Sequence, residues 1–74
     1  MNRAALKNAI RQLSQDSYTA SGLANLLYQD LLSTENGIEP RHTTTEQLHI
    51  ATALKQFCQN IDKAVAEMED GEGK

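Results

Sequence analysis

The sequence predicts an all-α protein: an antiparallel helical hairpin of two long helices, forming a dimeric helical bundle. Three observations lead there. Apolar residues recur at alternating intervals of three and four through both halves of the chain, the period of a helix face. One strong turn-forming segment, Glu35-Asn36-Gly37-Ile38-Glu39-Pro40, separates the halves: Asn and Gly accept the left-handed backbone that ends helices, and Pro40 disfavours helix at Glu39. Bulky apolar side chains are also scarce, with nine Leu, four Ile, one Val and one Phe among 74 residues. A monomer of this size buries only about 60% of the surface of its unfolded chain. A single cysteine permits no intrachain disulfide, and no Cys/His cluster offers a zinc staple. A partner subunit is the remaining way to stabilise such a chain.

The first helix is expected over residues 2–34. Leu6, Ile10, Leu13, Ser17, Ala20, Ala24, Leu27 and Leu31 keep a 4-3-4-3 spacing from end to end and form its expected seam. Residues 14–22, Ser-Gln-Asp-Ser-Tyr-Thr-Ala-Ser-Gly, are rich in types that prefer caps and turns, so a kink or break is expected there. A complete break would give a monomeric three-helix bundle instead of a dimer of hairpins. Between residues 23 and 32 the apolar residues cover more than half the helix circumference, which calls for more than one neighbour. Leu23, Leu26, Leu27, Tyr28, Leu31 and Leu32 are therefore the expected oligomer or partner interface.

After a loop at 35–43, the second helix is expected over 44–69. Its start carries a capping box, either Thr43 with Glu46 or Thr44 with Gln47. Ala51, Leu54, Cys58, Ile61, Val65 and Met68 form its stripe, widened on one side by Ile50, Phe57 and Ala64. Leu54, Phe57, Cys58, Ile61 and Val65 are the expected core. Residues 1–69 then make one helical domain, and the polar, glycine-bearing tail 70–74 is expected to be disordered.

Charge is unevenly spread. The net charge is −3, yet residues 1–15 carry Arg3, Lys7 and Arg11 and no acid. That i, i+4, i+8 row could meet an acidic protein surface or phosphates, although no aromatic side chain interleaves it to stack a base. Glu46-x-x-His49 has the spacing of a helical di-metal ligand pair but lacks matching carboxylates on a facing helix, so no metal is expected. Cys58 has no nearby histidine to act as its base. No catalytic constellation, cofactor motif or Gly-rich phosphate cradle stands out, and no small-molecule substrate is expected. No apolar run is long enough to span a membrane, and a lone cysteine with no apolar signal core fits the cytoplasm. The sequence thus predicts a small, non-enzymatic cytoplasmic adaptor or regulator acting through helix-mediated protein association, with a homodimer or another helical protein as partner. A nucleic-acid-binding regulator, using Arg3, Lys7 and Arg11 of a dimer, is the alternative.

Overall fold

The computed structural model describes residues 2–72 and their side chains as far as Asp70. It contains two helices, α1 (Arg3–Glu35) and α2 (Thr44–Glu72), packed antiparallel along their length. The rod they form measures 54 × 15 × 15 Å.

Each helix end has a local cause. Asn2 caps α1, its Oδ1 accepting the Ala5 N–H at 2.7 Å. At the other end Asn36 is the C-cap and Gly37 follows at φ +73°, a left-handed position open to glycine without strain. The Ile38 N–H donates to the Ser33 carbonyl at 2.8 Å, and the Gly37 N–H to the Thr34 carbonyl at 3.1 Å. These two bonds define a Schellman motif, which turns Ile38 back toward the half-buried Leu32. The capping box at the start of α2 is the Thr43–Glu46 one: Glu46 Oε1 accepts the Thr43 N–H at 2.9 Å, and Thr43 Oγ1 accepts the Glu46 N–H at 3.2 Å.

Two expectations about these elements need correction. There is no break at residues 14–22: α1 is one continuous helix, so the three-helix bundle does not form. The turn-prone residues are tolerated because Ser14, Ser17, Ser21 and Gly22 all lie exposed on its outer surface. An added Cβ at Gly22 would meet nothing within 4 Å, so that glycine costs some helix propensity but answers to no packing need. In addition, α2 continues past Glu69 to Glu72, into the segment expected to be disordered; Gly73 and Lys74 lie outside the described residues.

A third correction concerns which faces meet. On α1 the covered residues are Leu6, Ala9, Leu13, Asp16, Ala20, Leu23, Leu27 and Asp30. Leu6, Leu13, Ala20 and Leu27 of the expected seam are inside, but Ile10, Ser17, Ala24 and Leu31 are exposed, each replaced by the residue just before it. The same one-residue rotation occurs on α2. Ile50, Leu54, Phe57, Ile61, Ala64 and Met68 face inward, whereas Ala51, Cys58 and Val65 do not. Cys58 and Val65 therefore lie outside the hairpin's own seam.

The register is set near the loop, where Gln47 Nε2 donates to Asp30 Oδ2 at 3.1 Å. Stepping by three and four residues in opposite directions from that bond places Leu27 level with Ile50, Leu23 with Leu54, and Ala20 with Phe57. Asp16 then lies level with Ile61, Leu13 with Ala64, and Ala9 with Met68. Near the loop large residues meet large ones, whereas from Ala20 to the open end small residues meet large ones in the pairs Ala20–Phe57, Leu13–Ala64 and Ala9–Met68, which lets the helices pack closely there. Ala20, facing the one Phe, is the only buried apolar residue among those described.

Ala20→Leu should therefore force the helices apart and cost about 1–3 kcal/mol in urea denaturation. Ala66→Leu, on the exposed back of α2, should stay within about 0.5 kcal/mol of the parent. Asp16 is 9% exposed, and the single bond recorded for its carboxylate is from Gln12 Nε2 on its own helix, at 3.0 Å. Facing Ile61, it is a polar residue in an apolar layer, so Asp16→Leu should raise the urea midpoint.

Candidate interaction surface

Three features of the hairpin could serve a function: a polar cluster at the loop end, the basic row at the open end, and an apolar flank running between them.

The loop-end cluster centres on Asp30, the most buried polar side chain described, at 3% relative exposure. Its Oδ2 lies 3.0 Å from His42 Nδ1 in the loop and accepts from Gln47 on α2. An ionised carboxylate can only accept, so the His42 proton belongs on Nδ1 in this arrangement. Burial alone pushes the Asp30 carboxyl up. The donors from Gln47 and His42, the charge of His42 when protonated and the Arg41 N–H outweigh that, and hold it below its ordinary value. Glu46 is likewise lowered, by its backbone and side-chain bonds to Thr43. The cluster joins α1, the loop and α2 in one polar knot. Beside it, Asn25, Leu26, Gln29, Ser33, Arg41 and His42 line a shallow groove of about 320 Å³.

The basic row stands exposed at the other end. Arg3, Lys7 and Arg11 lie on a slowly winding line, and Glu67, Glu69 and Asp70 of α2 share that end of the rod. Among the described residues the one ion pair is His42–Asp30, so these three cations and three acids are unpaired with each other. His42 and His49 are not joined in a metal site: no group of three or more potential ligands exists among the described residues.

The flank follows from the rotated seam. Ile10, Ser17, Ala24 and Leu31 each follow a seam residue of α1; Ala51, Cys58 and Val65 each follow one of α2. In antiparallel helices a forward step turns both rows to the same side of the hairpin. Tyr28 and Leu48 lie one further row out on that side. Ile10 is 53% exposed, Tyr28 55%, Leu31 54% and Leu48 63%, and Cys58 is exposed. The opposite side carries Gln12, Thr19, Asn60 and Glu67, and there the loop folds over α1 at the groove.

The six expected interface residues therefore separate. Tyr28 and Leu31 belong to the free flank. Leu23 and Leu27 are spent in the hairpin's own seam, Leu26 lines the groove on the opposite side, and Leu32 sits half-buried on the back. Sequence reasoning had not connected Leu48 to this surface. Its signal was a position three residues before Ala51, on the same face of α2.

The lowered carboxyls have a sign. A group with a depressed native pKa lends stability above its ordinary value, and that stability is lost as pH falls through the native one. For Asp30 and Glu46 the loss should begin near pH 4 and deepen below it. Urea midpoints at pH 7 and pH 3 should differ less for Asp30→Asn, and less for Glu46→Gln, than for the parent chain.

Compared with known family models, with curated proteins and with solved structures, the chain matches none.

Proposed function

We propose that this chain is a small non-enzymatic adaptor or regulator that works by helix-to-helix protein association, homodimerisation included. The observation that carries this reading is the apolar flank shared by both helices. Five of the seven exposed large apolar residues among those described, Ile10, Tyr28, Leu31, Leu48 and Val65, share this flank, whereas Tyr18 and Ile38 lie elsewhere.

The surface area supports it. A compact monomer of 8.2 kDa exposes about 4,500 Å², whereas this hairpin exposes 5832 Å². Its radius of gyration is 16.4 Å, against about 11 Å for a compact chain of this length. A rod only two helices thick leaves one long side of each helix in water, and association is the usual way such surface is covered. The groove beside His42 is shallow and open, so it cannot shut water away from a reaction, and the polar knot beneath it serves to hold the loop. Among the described residues no helix is long and apolar enough to cross a membrane.

The test is sedimentation equilibrium over a range of concentrations, with circular dichroism to follow helicity. Leu31→Glu or Val65→Glu should weaken association at least about tenfold, the size expected when a charge enters a packed contact. Ala66→Glu, on the back of α2, should leave it unchanged. A well-folded chain that stays monomeric, and offers no surface to an apolar dye, would remove the basis of this reading.

A further inference from the structure

Building on the association reading, we propose that the occupant of the flank is a second copy of this chain, lying side by side with the first and with its loop at the same end.

Area points to a copy of similar size. The hairpin exposes about 1,300 Å² more than a compact monomer. Covering that surplus on two chains would bury about 2,600 Å², within the range of obligate homodimers. The flank is also a long, narrow strip formed by two helices, the shape that another two-helix rod covers to make a four-helix bundle.

The order of residues along the strip selects the orientation. At the loop end it carries Tyr28, Leu31 and Leu48, with Ala24 and Ala51 next to them. Its middle combines the small Ser17, Ser21 and Cys58 with the charged Lys55 and Asp62 in the outer row of α2. Toward the open end come Ile10 and Val65, then Lys7 on α1 and Glu69 on α2. A two-fold axis along the rods would set each α1 against α2 of the other copy, in the register already used within the hairpin. Tyr28 then meets Leu48 of the second copy, Ala24 meets Ala51, Ser17 meets Cys58, Ile10 meets Val65 and Lys7 meets Glu69. Leu31 meets Thr44, and Lys55 and Asp62 meet Ser21 and Ser14; the other apolar residues face apolar ones, and the charges at the open end are of opposite sign.

A two-fold axis across the rods would place the loops at opposite ends and set each helix against its own reversed copy. That arrangement gains a Lys55–Asp62 pair and keeps Ile10 against Tyr28 and Ala51 against Val65, but it lays Leu31 against Lys7 and Leu48 against Glu69. A rim ion pair is screened and contributes little. Covering a leucine with a charged group forfeits its burial and leaves the charge badly solvated. The balance favours loops at one end.

The two orientations differ in what Cys58 faces, which makes oxidation a direct test. With loops together, Cys58 faces Ser17 of the other copy; with loops apart, it faces the other Cys58. Ser17→Cys, with Cys58 kept, should give a covalent dimer on mild oxidation, read as mass on a non-reducing gel. The parent chain and the double variant Ser17→Cys, Cys58→Ser should both stay at monomer mass. Sedimentation of the same samples before oxidation separates the outcomes. A dimer whose parent chain cross-links through Cys58 overturns the orientation and leaves the association reading standing. A dimer that cross-links in none of the three forms overturns the face. A folded monomer that binds an apolar dye overturns the second copy as occupant, and one that binds none overturns the association reading as well.

Discussion

The arrangement of this hairpin depends on one buried carboxylate. Asp30 is held by Gln47 from α2 and by His42 from the loop, so a single side chain ties together the three segments whose relative position defines the hairpin. Each helix offers two overlapping apolar rows that share half their members, and packing alone could use either. Turning α1 by one residue, to bring Ile10 and Leu31 inside, would carry Asp30 out of reach of its donors and expose Leu23 in exchange. A charged group with several donors is worth more in place than out of it, because unpaired burial is penalised and paired burial is directional. The knot therefore settles the rotation of α1, and the rotation of α1 settles which row is left for a partner.

This also explains how much of the structure the sequence made legible. The hairpin, the turn at Asn36-Gly37, the capping box and the pitch of both helices rest on local chemistry, and local chemistry is written residue by residue. Leu6, Leu13, Ala20 and Leu27 on α1, with Leu54, Ile61 and Met68 on α2, are common to both rows, so periodicity found them. On α2 the remaining members, Ile50, Phe57 and Ala64, are legible as the widened edge of the stripe; on α1, hydrophobic spacing ranks Ile10 and Leu31 above Ala9 and Asp30, which hides half of that seam. Asp30 becomes a seam residue only when Gln47 and His42, distant in sequence, arrive beside it. On α2 both candidate rows are apolar, with Phe57 beside Cys58 and Ala64 beside Val65, so spacing alone does not choose between them. The continuity of α1 through residues 14–22 is a related case. Local propensity opposes it, and packing of Leu13, Ala20 and Leu23 along one straight seam overrides it, provided the serines and Gly22 can face water.

Asp16 and Asp30 occupy equivalent places on α1, two heptads apart, with opposite consequences. Asp30 has donors from across the seam, whereas the bond recorded for Asp16 comes from its own helix. The first fixes register and the second interrupts an apolar layer against Ile61. Polar residues in a seam commonly trade stability for uniqueness of pairing. Here the trade would bear on the choice between the two rows: a seam made wholly of leucine would hold α1 in either rotation, and a carboxylate in the middle row raises the cost of sliding.

Folding and association are then difficult to separate in this molecule. Among the described residues only Ala20 is a buried apolar side chain, and the large seam residues are half-covered. Half-covered leucines return only part of the roughly 1.5–3 kcal/mol that full burial yields, while ordering each residue costs about 1–2 kcal/mol of backbone entropy. A second rod on the flank would add contacts without adding residues to either chain. It would cover Ile10, Leu31, Leu48 and Val65, and bring the outer edges of Leu27 and Ile61 nearer to dryness. Anything that binds the folded hairpin and not the open chain shifts the folding equilibrium toward the hairpin in proportion to its concentration. The surface that makes the isolated hairpin weak is thus the surface through which a partner would control whether it is folded at all.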